Sequence, residues 1–403
     1  MKRIFIFALA FLLLTVNAAA LDAREEAELD AADVPAGIFA ETISAADAES
    51  LTVSAPCAIL IEKETGEVLY EKNADERNFP ASVTKVMTIL LAVEAVEAGE
   101  VSLDDTVTVS ATAAGMGGSQ VFLEEGEQMS LHEMLKCVVV SSANDAAVAV
   151  AEFLSGSEET FVQRMNERAA ELGMENTFFC NCTGLSDPEE HKTTARDIAI
   201  MSRELIRHDW IKEYTTIWMD TIRGGAFGLS NTNKLIYYYD GATGLKTGFT
   251  QAAGYCLAAT AMRDGVEYIA AVMHCQTSQD RFESAKTLLS YGFANYTLIS
   301  ATPDEALAPI PVRLGKTAHI QPELESDGSV LVSRRSAASV TKTVELMEEL
   351  TAPVKEGDEI GELILRDGGS VLGRVPIIAG GESERLTVGD LLLRALSAAF
   401  FGS

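Results

Sequence analysis

Three short polar motifs constrain how this chain can fold, because they carry complementary chemistry and stand far apart in the sequence. They are Ser82-Val83-Thr84-Lys85, Ser142-Ala143-Asn144 and Lys246-Thr247-Gly248. A serine and a lysine at i and i+3 share one face of a helix, so the amine of Lys85 can take the hydroxyl proton of Ser82 without a histidine. The pattern predicts a serine nucleophile and a fold that brings the other two motifs to it.

The second and third motifs supply groups that such a nucleophile needs. Ser142 would relay a proton and Asn144 would hold the substrate, both from a later loop. Lys246 and Thr247 lie in a predicted strand and add positive charge beside the bare backbone of Gly248. Each motif alone also fits a helix start, a helix cap or a strand end. All three in this order are far more specific.

These motifs resemble those of the penicillin-binding proteins and class A β-lactamases. The similarity is closer to the low-molecular-weight penicillin-binding proteins that act as serine D-alanyl-D-alanine carboxypeptidases, and it covers roughly residues 48–298. Further stretches that carry it are Ala58–Ile61, Thr65-Gly66, Val68–Asp75, Pro80–Lys85, Gly244–Thr250 and Ala253–Cys256. The resemblance implies an α/β, penicillin-binding-protein/β-lactamase-like fold. This fold is an antiparallel sheet with helices on both faces and a helical lobe, followed by a small all-β domain.

The resemblance also implies roles in the reaction. Ser82 would attack a peptide carbonyl with Lys85 as base, the backbone N–H groups of Ser82 and Phe249 would hold the oxyanion, and Ser142 would pass a proton to the leaving amine. Asn144 would hold the substrate amide. The residues expected to bind the rest of the substrate are Lys246, Thr247, Gly248, Phe249 and Thr250.

A lysine base must be neutral at neutral pH. Burial lowers the pKa of a lysine and a second cation lowers it further, so we expect Lys85 to be buried with Lys246 beside it. Gly248 would leave its strand face bare for an extended substrate to pair along it. Some family members have an arginine after the Ala-Val-Met strand, where this chain has Gln276, and Arg281 follows nearby.

Three functions stay open. The chain would be a carboxypeptidase acting on peptidoglycan stem peptides that end in D-Ala-D-Ala and inhibited by β-lactam antibiotics, a β-lactamase, or a catalytically silent penicillin-binding sensor or scaffold. A class A β-lactamase needs a Glu four residues before an Asn, between the second and third motifs. The residues at that spacing are Val162, Leu172, Thr177, Phe227 and Leu229. The sensor is disfavoured because every proposed catalytic side chain is present.

The two ends of the chain predict export and membrane contact. Residues 1–20 combine Lys2-Arg3, the apolar run Ile4–Val16 and a small-residue cleavage site ending at Ala20, which is typical of a signal peptide and too short for a membrane span. Residues 21–47 are predicted to be an acidic, disordered spacer. Residues 386–403 predict an amphipathic helix that anchors the protein peripherally at the outer face of the cytoplasmic membrane. The alternative is a helix docked on its own protein.

Composition excludes other classes of function. The net charge of −29 makes nucleic acid an improbable partner, because phosphates would be repelled. No histidine is spaced with the six cysteines as zinc ligands would be, so neither a metal nor a cofactor is expected. The cysteines favour buried free thiols, with a bridge as the alternative. Among the five histidines, His191 stands in a segment that resembles one near the cleft in the family.

Apolar patterning predicts the order of elements. Residues 51–72 read as a hairpin, and Ser82 stands at the start of a buried helix. Helices are expected over 131–152, 158–172, 194–207 and Ser284–Tyr291, and strands over Thr243–Ala261 and Val266–Met273. The predicted division gives residues 48–299 to the catalytic domain and residues 300–385 to the β domain.

Overall fold

The computed structural model describes residues 51–186, 188–325 and 328–393. They divide into two compact units with the boundary between Ala294 and Asn295. The strands of the first unit are β1 (Cys57–Glu62), β2 (Val68–Lys72), β3 (Thr106–Thr108), β4 (Gln128–Ser130), β5 (Met219–Ile222), β6 (Phe227–Ser230), β7 (Ala242–Thr250), β8 (Gly254–Arg263) and β9 (Val266–Cys275). The helices are α1 (Lys85–Glu97), α2 (Ala111–Ala114), α3 (Leu131–Val140), α4 (Asn144–Ser155), α5 (Glu158–Glu171), α6 (Ala195–Arg207), α7 (Lys212–Thr215), α8 (Leu235–Tyr238) and α9 (Ser278–Asn295).

An antiparallel five-stranded sheet in the order β2-β1-β9-β8-β7 is the frame of the first unit. The predicted hairpin is present, because β1 pairs with β2 across the turn that contains Gly66. The strand β7, which carries the Lys-Thr-Gly motif, is the last in the order. One edge of this strand therefore has no neighbouring strand in the sheet.

Both faces of this sheet are covered. Along β9, Ile269, Ala271 and Met273 belong to the core shared with the helical lobe, and the residues that alternate with them are equally buried. The helix α6 packs on β1 and β9. Phe293 of α9 stacks against Tyr268 of β9 with ring centroids 4.9 Å apart. The predicted antiparallel sheet with helices on its faces is confirmed.

The helical lobe differs from the sequence prediction at one place. A single helical stretch over 131–152 is predicted, whereas the structure breaks it into α3 and α4. Ser142 lies in the break with a positive φ of 59°, and the backbone N–H of Asn144 donates to the carbonyl of Ser119 at 2.7 Å. The apolar pattern continues through the break because both helices are buried. Hydrophobic periodicity therefore cannot reveal it.

The second unit, described by itself, is a small β domain. Its strands are β10 (Tyr296–Ser300), β11 (Ile310–Arg313), β12 (His319–Ile320), β13 (Pro322–Leu324), β14 (Ser329–Ser333), β15 (Val340–Leu346), β16 (Leu350–Thr351), β17 (Glu359–Asp367) and β18 (Ser370–Ala379). They form sheets in the orders β10-β14, β12-β11-β16 and β13-β18-β17-β15. Because β10 pairs with β14, this unit begins before the boundary at residue 300 that the sequence predicts.

The C-terminal segment is described as far as Leu393. Residues 388–393 are helical, and Thr387 and Asp390 form a reciprocal cap in which the backbone N–H of each bonds to the side chain of the other. Val388, Leu392 and Leu393 are more than half exposed. No helix among the described residues is long and apolar enough to cross a bilayer. The predicted signal peptide, the acidic spacer and the last ten residues of the predicted anchor lie outside the described residues.

All six cysteines lie in the described ranges, and all are free. Five are buried, and Cys180 is intermediate. Burial is the largest cause that raises the pKa of Cys57 to about 11 and that of Cys137 and Cys275 to about 12. The prediction of buried free thiols is confirmed for five of the six.

Candidate active site

The first motif lies in a tight turn that leads directly into a buried helix. Ala81–Thr84 form one turn of 3-10 helix, and α1 begins at Lys85. Ala81 has a positive φ of 47°, a backbone conformation that costs a non-glycine residue about 1 kcal/mol or more. Ser82 is partly exposed, whereas Lys85 is fully buried. The turn therefore presents the serine to solvent and keeps its neighbouring amine away from water.

The amine of Lys85 is in place to act on Ser82. Its Nζ lies 3.0 Å from Oγ of Ser82 and donates a hydrogen bond to the carbonyl oxygen of Thr183 at 2.8 Å. Burial lowers the pKa of Lys85 to about 7, with Cys182 and Asp145 acting in the opposite direction. A large fraction of this amine is thus neutral at neutral pH, as a base requires.

The Thr183 carbonyl is held by its own loop. The side-chain carbonyl of Asn181 accepts hydrogen bonds from the backbone N–H groups of Thr183 and Gly184, at 3.1 and 2.6 Å. Gly184 has a positive φ of 71°, and a side chain there would collide with the carbonyl oxygen of Ala81. This close packing needs glycine. An acceptor that belongs to the backbone carries no signal in the sequence, so the contact between Thr183 and Lys85 could not be predicted.

The second motif occupies the break between α3 and α4. Asn144 is the first residue of α4 and is buried, and its Nδ2 donates to the carbonyl of Gly117 at 2.7 Å. Its Oδ1 has no hydrogen-bond partner among the described residues. A buried acceptor without a partner is costly, so this oxygen is suited to a donor N–H from a bound molecule. Ser142, in its left-handed conformation, is also buried.

Asp145 fixes the loop next to the second motif, a role that the sequence analysis missed. Its buried carboxylate accepts backbone hydrogen bonds from Val121 at 3.1 Å and Leu123 at 3.0 Å. Arg223 binds the same loop through the carbonyl oxygens of Val121 and Phe122. The sequence signal for this role is an acidic residue directly after the second motif, in an apolar helix. Such a residue must find hydrogen-bond donors when it is buried.

The third motif lies on β7 with its backbone against the turn that carries Ser82. A Cβ atom at Gly248 would lie 2.8 Å from the carbonyl oxygen of Pro80 and 3.1 Å from the backbone nitrogen of Ser82. A bare strand face for the substrate is the reason that the motif alone predicts for this glycine. The structure adds that only a residue without a side chain allows β7 and the turn to approach this closely.

Lys246 and Arg281 add two further basic side chains to the site. Lys246 is buried, and its Nζ donates to the carbonyl of Thr247 at 3.0 Å. Burial first, and then the charges of Lys85 and Arg281, lower the pKa of Lys246 well below its usual value. Arg281 lies in the first turn of α9 and donates to the carbonyl oxygen of Gly248 at 3.2 Å. The expected proximity of the two amines is therefore seen as a lowering of the Lys246 pKa by the charge of Lys85. The low pKa of Lys85 itself is due to burial.

The remaining predicted site residues follow on the same strand. Thr247 donates through its hydroxyl to Oγ1 of Thr232 at 2.7 Å, which ties β7 to the segment before α8. The ring of Phe249 stacks against that of Tyr255 on β8, with centroids 4.3 Å apart. Thr250 accepts a hydrogen bond from the backbone of Ala253 and so closes the turn between β7 and β8. Thr232 carries no motif and was missed.

The described residues contain no group of three or more His, Cys, Asp or Glu side chains that could hold a metal ion. The groups that the three motifs bring to the site are the serine hydroxyl of Ser82, two amines with lowered pKa values and the buried amide of Asn144. Such a set suits acyl transfer through a covalent serine ester.

Comparison with known proteins agrees with this chemistry. Residues 42–277 match the sequence profile described as D-alanyl-D-alanine carboxypeptidase, and residues 293–385 match the C-terminal domain of penicillin-binding protein 5. The D-alanyl-D-alanine carboxypeptidase DacF of Bacillus subtilis is 42% identical over 340 residues, which are 83% of this chain and 87% of the relative. The D-alanyl-D-alanine carboxypeptidase DacC of Escherichia coli is 34% identical, over 85% of this chain and 88% of the relative.

A solved structure has the same fold over most of the chain. Penicillin-binding protein 5 from Haemophilus influenzae superposes with a TM-score of 0.73 at 27% sequence identity. The alignment covers 87% of this chain and 100% of that protein. Both units of the present chain are therefore represented in its relatives.

Proposed function

Because the chain belongs to the D-alanyl-D-alanine carboxypeptidase family, we propose that Ser82 is the nucleophile with which it removes the terminal D-Ala of peptidoglycan stem pentapeptides. The observation that carries the assignment is the 3.0 Å separation of Lys85 Nζ and Ser82 Oγ, with a lysine whose pKa is about 7. β-Lactams would acylate the same serine. Nothing in the geometry favours a second function over this one.

The acylation step follows from these positions. The Ser82 oxygen attacks the carbonyl carbon of the penultimate D-Ala while the Lys85 amine takes the hydroxyl proton. The negative charge that develops on the substrate oxygen is stabilised by the backbone N–H groups of Ser82 and Phe249. The backbone nitrogen of Ser82 faces Gly248 on β7, which supports a shared oxyanion site formed by the turn and the strand.

Collapse of this intermediate breaks the bond to the terminal D-Ala. Ser142 relays to the leaving amine the proton that Lys85 took from Ser82, so that free D-Ala departs, the Lys85 amine is neutral again and a serine ester stays on the enzyme. Asn144 presents its unpartnered Oδ1 to an N–H group of the substrate. Water then hydrolyses the ester, and the hydroxyl of Ser82 is restored.

Recognition of the carboxylate at the end of the substrate falls to Lys246, Thr247 and Thr250. An anion entering the site would favour the charged form of Lys246, whose pKa is lowered by burial and by the charges of Lys85 and Arg281. Arg281 adds positive charge behind Gly248. The free edge of β7 supports pairing of an extended substrate along this strand.

The proposal extends to where the enzyme works. Export by a cleaved signal peptide would bring it to the outer face of the cytoplasmic membrane, where its substrate is found. The exposed apolar side chains of Val388, Leu392 and Leu393 support a C-terminal helix that lies in the membrane interface. Residues 48–299 would then be the catalytic domain, and residues 300–385 a domain between it and the anchor.

Mass spectrometry tests the assignment directly. Incubation of the mature protein with a stem pentapeptide should release one terminal D-Ala, and incubation with penicillin should add its mass to the tryptic peptide that contains Ser82. Ser82→Ala should abolish both. Ser110→Ala is the matched control, because Ser110 only caps α2. An adduct on another residue, or full activity in Ser82→Ala, would exclude Ser82 as the nucleophile.

A further inference from the structure

His191 is a fully buried histidine that takes no part in the proposed chemistry. Both of its ring nitrogens have partners. The backbone N–H of Cys180 donates to Nδ1 at 2.9 Å, and Nε2 lies 2.9 Å from Oγ1 of Thr84. The ring also packs edge-on against Phe179, with centroids 6.0 Å apart. A side chain this completely held is fixed in orientation.

The hydrogen bonds define the state of this ring. Because Nδ1 accepts from a backbone N–H, it carries no proton, so the neutral ring has its proton on Nε2 and donates it to Thr84. Burial lowers the pKa of His191 to about 4, so that the ring is neutral at the pH where the enzyme works. It therefore serves as a fixed connector with one donor and one acceptor.

The partners of the His191 ring, Thr84 on one side and Cys180 with the more distant Asn181 amide (3.5 Å) on the other, belong to the two segments that meet at the catalytic lysine. Thr84 lies between Ser82 and Lys85 in the nucleophile turn. Cys180 begins the loop whose Thr183 carbonyl accepts the hydrogen bond from Lys85. A second bond, from the hydroxyl of Thr88 to the carbonyl of Cys182 at 2.7 Å, joins the same loop to α1 one turn later.

We propose that His191 is a positioning residue, which clamps the Thr183 loop to the nucleophile turn and so directs the lone pair of the Lys85 amine at Ser82. A neutral amine has two N–H groups and one lone pair, and the bond to Thr183 fixes the direction of one N–H. If the loop moves, the lone pair no longer faces the hydroxyl and water gains access to the amine. This inference rests on the proposed roles of Ser82 and Lys85.

Two conservative variants separate the two bonds of the ring. In His191→Gln the amide nitrogen can take the place of Nε2 and keep the bond to Thr84. In His191→Asn the side-chain oxygen can take the place of Nδ1 and keep the bond to Cys180, but nothing reaches Thr84. Thr84→Val removes the same bond from the other side at nearly constant volume. Thermal unfolding of each variant identifies any that does not fold.

The readout is the second-order rate of acylation by a fluorescent penicillin from pH 6 to pH 10. We expect His191→Asn and Thr84→Val to lose about tenfold or more at pH 7, the value of one hydrogen bond, and to recover part of this loss near pH 9.5. Recovery is expected because water at Lys85 raises its pKa, and the titratable groups that interact with this amine, Cys182, Asp145 and Lys246, are unchanged. His191→Gln should stay within about threefold of wild type.

The outcomes distinguish this inference from the proposed function. If wild type acylates at Ser82 and the variants that fold keep its pH profile, His191 does not position the base, whatever the size of a uniform loss. If wild type itself is not acylated at Ser82, the proposed function fails instead. His208→Asn is the matched control, because that ring bonds to Glu97 and not to the Thr183 loop or the nucleophile turn among the described residues, and it should acylate as wild type does.

Discussion

Gly248 lies so close to the backbone of Ser82 that a Cβ atom at residue 248 would be 3.1 Å from the Ser82 nitrogen. The carbonyl of Pro80 would be closer still, at 2.8 Å. The close approach sets the distance between β7 and the turn that carries Ser82. In the proposed mechanism, the spacing of the oxyanion site therefore depends on the absence of one side chain at residue 248.

Gly248→Ala should consequently impair acylation without unfolding the protein. Backbone atoms on the turn cannot move aside as a flexible side chain would, so β7 and the turn must separate by a few tenths of an ångström. We expect the second-order rate of penicillin acylation to fall at least about tenfold. Gly228→Ala, also in a strand but with no atom within 4 Å of the added Cβ, is the control. Equal rates for both variants would refute this reading of Gly248.

The acylation rate should titrate with Lys85. The base is active when deprotonated and its pKa is about 7, so the rate should fall about tenfold for each pH unit below 7 and reach a plateau above it. Stopped-flow measurement with a chromogenic cephalosporin between pH 5 and pH 9 gives the profile. A rate that is independent of pH across this range would mean that Lys85 is not the base.

Lys85→Met should abolish acylation and stabilise the fold. In the wild type, the folded-state pKa of about 7 lies below the ordinary value of 10.5, so the unfolded chain binds more protons between these pH values. The free energy of unfolding therefore rises with pH between about 7 and 10.5, by up to about 5 kcal/mol. At low pH it is smaller by that amount than at high pH. Methionine removes this penalty.

Chemical denaturation should then show Lys85→Met more stable than wild type at pH 7 by about 4 kcal/mol, with a smaller difference at pH 10. Lys212→Met is the control, because Lys212 forms ion pairs with Asp209 and Glu267 and should lose stability when replaced. A destabilised Lys85→Met would show that burial of this amine is not costly.

His191 should make the fold sensitive to acid. Its pKa is lowered from 6.5 to about 4, so the unfolded chain binds a proton that the folded protein excludes between these values. The stability that comes from the neutral ring is fully present above pH 6.5. The free energy of unfolding then falls as the pH is lowered toward 4, by about 3 kcal/mol in total. His191→Gln should lack this component in urea denaturation at pH 7 and pH 4.5. The same slope in both proteins would contradict a buried neutral histidine.

Removal of residues 386–403 should release the protein from membranes and leave its activity on a soluble peptide unchanged. The three motifs all lie before residue 251, and the described part of the segment exposes Val388, Leu392 and Leu393. Flotation with liposomes that contain anionic lipid measures binding. Full-length mature protein that does not float, or a truncated protein that unfolds, would instead favour a helix docked on its own protein.

Sequence reasoning reached the parts of the site that depend on local spacing. The i, i+3 relation alone predicts that Lys85 meets Ser82, and β-branched and small apolar residues predict the strand that carries Lys246. It failed where the geometry of the site is determined by backbone atoms or by tertiary contacts. The break at Ser142 interrupts no apolar pattern, the acceptor of Lys85 is the Thr183 carbonyl, and Gly248 is required by a turn far away in the sequence.

Free thiols become liabilities when oxidants are present, since disulfide exchange and sulfenic acid formation both begin from the thiolate. With a pKa of about 11 to 12, Cys57, Cys137 and Cys275 are thiolates in only about one part in 10⁴ or fewer at neutral pH. The burial of these thiols slows their oxidation kinetically. A reducing compartment would instead keep them reduced by shifting the equilibrium. These cysteines can thus fill space in the core as small apolar residues do, without a cellular reductant to maintain them.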